Sequence, residues 1–318
     1  MEKRTLGTTD LQTLPIIFGG NVFGWTLDET ESFRILDEFI DLGFNMIDTS
    51  NNYSHWVEGN IGTESENIIG NWLKSNGKRE QIIIATKVGG RNFIQKKPNT
   101  KKEHILKEVE ESLIRLNTDY IDLYQTHYDD ESTPLEETLS AYDKLLKDGK
   151  VRFIGASNIT AIRLKECLDK ADKYNLPHYQ TLQPEYNLYD RQKFEEFLLP
   201  VCESYDLAVL PYYSLASGFL TGKYKTEEDL DQSLRGKNIE KYLTPKGEAI
   251  IKALTFLSEK YQVSIAAISL NWLMNQKMVA APIASATKSH HLKSFVEAAN
   301  LKMAAEDYKY LADTSSIQ

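Results

Sequence analysis

The sequence predicts a (β/α)8 barrel. Eight short β-branched apolar runs recur along the 318 residues, an amphipathic stretch follows each of them, and no Pro/Gly/Ser-rich linker divides the chain. We therefore expect residues 1–318 to form one barrel domain. Residues 5–13, with Leu6-Gly7 at a turn, read as a small hairpin that closes the barrel floor. Strand one is expected at 15–19 and its helix at 28–42, started by Asp28 ahead of Glu29 and Glu31 and stopped at Leu42-Gly43. Strands two to five are expected at 44–48, 81–87, 121–127 and 152–156. Their helices follow at 64–75, 101–116, 135–147 and 160–174, the fourth ending at Asp148-Gly149 and the fifth opening on Thr160. Strands six to eight are expected at 181–183, 208–211 and 279–283, with helices at 191–204, at 245–261 with 265–274, and at 288–298. The longest insertion, 212–245, is rich in Lys, Asp and Glu, and a loop of that length in a compact domain is usually functional.

A doubly wound open sheet is the main rival to this fold. If such a sheet bound a dinucleotide it would carry G-x-G-x-x-G after its first strand, whereas the turn here reads Gly19-Gly20-Asn21-Val22-Phe23-Gly24. Composition names no function: 41% hydrophobic and 26% charged residues are ordinary for a globular protein. The net charge of −9 argues against a nucleic-acid surface, yet a pocket with a few local cations can still hold a nucleotide. Cys167 and Cys202 are isolated within helical patterns and read as buried thiols. The polar first ten residues lack the apolar stretch of a secretory signal, which makes a cytoplasmic location the expectation.

Active sites of such barrels lie at the C-terminal ends of the strands. Strand two runs into Asp48, strand three into Lys87 and strand four into His127, so an acid, a base and an imidazole share one rim. Tyr53, five residues past Asp48, can fold back over that rim. Carbonyl reduction needs a proton donor beside a hydride donor, and a phenol with a pKa of roughly 10 is a poor acid at neutral pH. An adjacent Lys87 ammonium is expected to lower the Tyr53 value, with Asp48 holding the lysine in a buried ion pair. His127 is expected to hydrogen-bond the substrate oxygen or to assist the proton transfer.

With these residues in place the chain resembles the aldo-keto reductase superfamily over nearly its whole length. The family's Asp, Tyr, Lys and His fall in order on Asp48, Tyr53, Lys87 and His127. Ser65-Glu66 with Gly70, the run 122–127 with Asp130, 149–158, 183–188 with Arg191, and 218–224 match as well. The resemblance implies reduction of an aldehyde or ketone by NADPH, with NADH as the alternative, the cofactor lying extended across the barrel mouth. It implies that Ser157, Asn158 and Gln183 hold the nicotinamide amide and that Tyr212 stacks on the ring. Leu215, Ser217 and Gly218 then lie on the pyrophosphate, with Lys223 and Arg235 as phosphate-facing cations. Thr287, Lys288 and His291 fall on the segment for the adenosine 2′-phosphate, although Ser294 and Phe295 depart from the family's Glu-Asn pair. Gly20 and Asn21, after strand one, are counted with the cofactor residues.

Trp25, Trp56 and Tyr128 lie in loops on the catalytic side and are candidates to line the substrate pocket. The partner expected is a small-molecule carbonyl compound, with no nucleic acid, membrane or metal. His290-His291 has no third ligand near it in sequence, and neighbours on a helix are expected to face apart. The run from Gly218 to Lys223 is one residue short of P-loop spacing. A second reading is a cofactor-sensing regulatory subunit, as in the potassium-channel β-subunits that resemble this family. Natural substrate and oligomeric state are not legible in the sequence.

Overall fold

The computed structural model describes residues 1–91, 96–224, 228–229, 236 and 239–316. An antiparallel hairpin, β1 (Arg4–Thr5) and β2 (Gln12–Thr13), precedes eight parallel strands: β3 (Ile17–Gly19), β4 (Met46–Asp48), β5 (Ile83–Val88), β6 (Ile121–Thr126), β7 (Val151–Ser157), β8 (Thr181–Gln183), β9 (Ala208–Val209) and β10 (Ile283–Ala284). Their order in the sheet is β10-β3-β4-β5-β6-β7-β8-β9. The sheet curls until β9 meets the chain ahead of β10, where Val209 bridges Val279 and Ala280 N donates to Val209 O at 3.0 Å. The expected (β/α)8 barrel is the fold.

Strand eight differs from its expected span of 279–283. Its first part pairs with β9, while only Ile283 and Ala284 pair with β3. Closing a sheet into a barrel staggers the strands, so the last one shares its length between two neighbours.

Helices α1 (Glu29–Asp41), α2 (Glu64–Asn76), α3 (Lys102–Leu116), α4 (Leu135–Lys147) and α5 (Ala161–Tyr174) follow their strands within a residue or so of expectation. Caps set the starts: Asp28 accepts from Glu31 N at 2.8 Å, and Thr160 accepts from Arg163 N at 3.3 Å. The helix expected at 191–204 is instead a π turn over Phe194–Leu198 followed by α6 (Leu199–Ser204). Pro200 has no N–H to meet the carbonyl four residues back, and the ladder widens just before it. The chain continues through α7 (Pro245–Tyr261), α8 (Ile265–Met274) and α9 (Ser289–Asn300). One helix was not anticipated, α10 (Ala305–Ser315), which docks on α7 through Lys260 Nζ and the Tyr261 hydroxyl, both donating to Asp307 at 2.7 and 2.5 Å. Within the insertion expected at 212–245, residues 225–227, 230–235 and 237–238 lie outside the described residues. Among those described, no helix is long and apolar enough to cross a membrane.

Two apolar cores result. One fills the space between sheet and helices. The other runs inside the barrel, where Ile17, Met46, Ile83, Ala85, Leu123, Leu210 and Ile283 meet Leu6 and Leu11 from the hairpin. The hairpin thus plugs one end with apolar side chains, which leaves the opposite rim for polar ones.

Candidate active site

Side chains of a strand alternate between two faces, so residues two apart share one. Met46, Ile83 with Ala85, and Leu123 point into the barrel. Asp48, Lys87 and Gln125, two steps further along the same strands, therefore form its top interior layer. Gln183 joins them from β8: its Nε2 donates to Asp48 Oδ1 at 2.8 Å and to Gln125 Oε1 at 3.1 Å, while Gln125 Nε2 donates to Asp48 Oδ1 at 3.1 Å. Gln125 was missed in the sequence, although its step from Leu123 was there to be counted.

Lys87 is wholly buried. Its Nζ donates to Asp48 Oδ2 at 2.6 Å, to Thr49 O at 2.7 Å and to the Tyr53 hydroxyl oxygen at 2.7 Å. Backbone bonds pin the loop that returns Tyr53 to this point: Thr49 N donates to Ala85 O at 2.8 Å, and Ser54, at φ 70°, donates from its hydroxyl to Phe23 O at 2.6 Å. His127 follows β6 directly, its ring centroid 6.0 Å from that of Tyr53. The structure brings Asp48, Tyr53, Lys87 and His127 together.

Burial pushes the Tyr53 phenol well above its ordinary value, and the Asp48 charge adds to the rise. This corrects the expectation that Lys87 lowers it. The ammonium is matched by a carboxylate 2.6 Å away, so Tyr53 feels a nearly neutral pair inside a dry site. Burial likewise pushes Lys87 down against the pull of Asp48, and pushes His127 well below the usual imidazole range, with Lys87 next in effect. The arrangement holds a protonated phenol and a neutral imidazole.

These side chains sit at one end of a cavity of about 950 Å³. Trp56, Tyr128, Ser157, Asn158, Gln183 and Tyr212 line it near Tyr53, and Leu215, Ser217, Gly218 and Lys223 lie further along. Asn21, Thr287, Lys288 and His291 line it as well. Two candidates fall elsewhere. Gly20 is behind the wall, accepting from Ser65 Oγ at 2.8 Å, and Gly19 lines the cavity in its place. Trp25 packs edge-on against Trp56 at 5.6 Å and does not line the cavity itself. Arg235 lies outside the described residues. Ser50, Asn52 and Arg91 were not singled out in the sequence; Asn52 and Arg91 line the cavity, as does Tyr213 beside Tyr212, and Ser50 touches His127.

The donor set fits an elongated ligand with an amide at one end and phosphates towards the other. Gln183 Nε2 is engaged, which leaves its Oε1 for an amide N–H, with the Ser157 and Asn158 side chains beside it. Ala216, Ser217 and Gly218 hold φ of 47°, 58° and 103° in succession, and strain of this kind clusters at ligand clamps. Lys223 lies next to that turn, its Nζ 3.8 Å from where a Gly218 Cβ would stand. At the far end His291 Nδ1 accepts from Thr287 N at 3.2 Å. Burial, then His290, Lys223 and Lys288, push the His291 imidazole down to about 4, and the Lys223 and Lys288 ammonium groups are the cations that line this part of the cavity. The His290 and His291 rings meet edge to face at 4.4 Å, contrary to the expectation that they face apart. Among the described residues no three His, Cys, Asp or Glu are grouped to share a metal.

The family model described as "Aldo/keto reductase family" matches residues 15–315. "Aldo-keto reductase YhdN" of Bacillus subtilis is 32% identical over 97% of this chain and 92% of its own. "Putative aryl-alcohol dehydrogenase AAD14" of Saccharomyces cerevisiae is 28% identical over 96% and 84%. "Probable voltage-gated potassium channel subunit beta" of Oryza sativa is 29% identical over 92% and 89%.

Proposed function

The chain belongs to the aldo/keto reductase family, whose members are normally NAD(P)H-dependent oxidoreductases, and from that premise we propose that it reduces an aldehyde or ketone to an alcohol with Tyr53 as the acid. The observation that carries this reading is the Tyr53 hydroxyl held 2.7 Å from Lys87 Nζ, itself 2.6 Å from Asp48. A reduced nicotinamide dinucleotide held along the cavity would supply the hydride to the carbonyl carbon, with the C=O π pair passing to the oxygen. The oxygen takes the Tyr53 proton. Lys87 donates to the phenolate as it forms, so the ammonium acts on the product of proton transfer rather than on the resting phenol. Asp48 keeps Lys87 charged and aimed, and His127 orients the substrate.

For the cofactor, Ser157, Asn158 and Gln183 would hold the amide, Tyr212 would lie against the ring, and Leu215, Ser217, Gly218 and Lys223 would hold the pyrophosphate, with Asn21 also lining the cavity. The Lys288 and Lys223 ammonium groups, which line the cavity with Thr287 and His291, support NADPH over NADH, because a 2′-phosphate could pair with them. Trp56 and Tyr128 give the substrate an aromatic surface.

The test is a fluorescence titration with NADPH and with NADH, followed by a carbonyl panel with the tighter one. Tighter NADPH binding and steady turnover are expected. Cofactor binding with only a slow single turnover would move the reading to a cofactor-sensing regulatory subunit; the rice relative carries the name of a probable potassium channel subunit beta.

A further inference from the structure

Every side-chain donor of Ser157, Asn158 and Gln183 is engaged within the protein. Gln183 Nε2 donates to Asp48 Oδ1 at 2.8 Å and to Gln125 Oε1 at 3.1 Å. Asn158 Nδ2 donates to the His127 carbonyl at 2.9 Å and to Ser157 Oγ at 3.1 Å, and the Ser157 hydroxyl donates to the Gln183 carbonyl at 2.8 Å. These three side chains therefore offer the cavity lone pairs. Gln183 Oε1 is one source, and Asn158 Oδ1, which accepts from the Tyr212 hydroxyl at 2.9 Å, has a second lone pair.

A glutamine amide can turn over, exchanging oxygen for nitrogen with no change of shape, so this arrangement needs a cause. For Gln183 the cause is the Asp48 charge. Gln125 Nε2 donates to the same Oδ1 at 3.1 Å, so the carboxylate and the two amides close a triangle in which each donor meets an acceptor. Turned over, Gln183 would set its oxygen against the Asp48 carboxylate and against Gln125 Oε1, and all three residues are buried. We infer that Asp48, with Gln125, is a positioning residue for the cofactor site, acting through Gln183. It keeps these side chains as acceptors, so the nicotinamide is selected by its amide N–H groups, and a head group with a carbonyl but no N–H is disfavoured. The two oxygens of one carboxylate thus serve two partners: Oδ2 holds Lys87 behind the acid, and Oδ1 orients the residue that reads the head group. This inference deepens the reductase reading and rests on it.

The 3-acetylpyridine analogue of NADPH replaces the amide NH2 by a methyl group and keeps the carbonyl, the shape and the charge. Calorimetric titration should give a Kd about tenfold lower for NADPH than for the analogue, which leaves Gln183 Oε1 unpaired. Asp48→Asn tests the coupling. The asparagine keeps its oxygen on the Lys87 ammonium and turns its Nδ2 to the two glutamines, whose amides then turn over and present Gln183 Nε2 to the cavity. The analogue should then bind within about twofold of NADPH, or more tightly, because its carbonyl meets a donor. Tyr53→Phe removes the acid and leaves the carboxylate, so it should keep the wild-type ratio, whereas general damage to the site would not. Equal affinities in the wild type, an unchanged ratio in Asp48→Asn, or a ratio lost equally in Tyr53→Phe overturns the inference. Turnover of a carbonyl compound with NADPH leaves the reductase reading standing in each of those cases. A protein that binds neither dinucleotide sinks both.

Discussion

All three protons of the Lys87 ammonium are engaged, one on Asp48, one on the Thr49 carbonyl and one on the Tyr53 oxygen. Removing the lysine therefore leaves a buried carboxylate whose remaining partners are the amides of Gln125 and Gln183 and, at 3.4 Å, the Tyr53 hydroxyl. Breaking a buried pair from one side typically costs about 3–5 kcal/mol. Lys87→Met should lower stability by about that much in urea unfolding, and Asp48→Asn with Lys87→Met should cost clearly less than the two single changes added together. Simple additivity would mean the two charges do not face each other. Asp48, Lys87 and Gln183 were legible as strand ends, and Tyr53 as a loop residue able to return to that rim. The direction of the Tyr53 shift was not, because it depends on how dry the site is and how fully Asp48 cancels the lysine.

Helix α2 links this chemistry to the scaffold. Ser65 shares a hydrogen bond with Thr49 at 2.7 Å and donates to Gly20 O at 2.8 Å, while Glu66 accepts from Thr86 Oγ1 and from Arg115 Nε, each at 2.6 Å. These contacts tie the helix to the turn after β3, to the strand ends that carry Asp48 and Lys87, and to α3 beside them. Gly70 is what lets α2 approach α3 so closely, since a Cβ there would stand 1.9 Å from the Arg115 carbonyl oxygen. Alanine is the better helix former, yet Gly70→Ala should destabilise by about 1–3 kcal/mol through overpacking. An unchanged urea midpoint would show that the helices do not meet there. Ser65, Glu66 and Gly70 were visible in the sequence as matching text, but what they touch was not, because those contacts join segments far apart in the chain. Helix α10 was missed for a related reason. Its buried positions are few, Asp307, Leu311 and Ser315 among them, and its dock on α7 is made largely by polar side chains.

At the scale of the whole molecule, a polar layer sits on one end of an apolar barrel, and its titration is linked to stability. His127 is neutral in the folded protein to well below the ordinary imidazole value. Below about pH 6.5 the unfolded chain takes up a proton there that the folded chain does not, so stability falls as pH drops below that point, by up to about 1.4 kcal/mol per pH unit for one proton. His127→Gln should therefore lose less stability than the wild type between about pH 7.5 and about pH 5.5 in paired urea unfolding curves. Equal losses would place His127 in contact with water. The eight-strand pattern made the barrel legible, and with it the rim where Asp48, Lys87 and His127 gather. Closure was less so, because strand eight divides its pairing between β9 and β3. The central claim is that the phenol of Tyr53, backed by Lys87 and Asp48, delivers the proton that completes carbonyl reduction. Tyr53→Phe tests it most directly: the variant should bind NADPH with near wild-type affinity by nucleotide fluorescence while kcat falls on the order of 10²-fold or more. Near-normal turnover on a good carbonyl substrate, with the cofactor bound, would contradict the account.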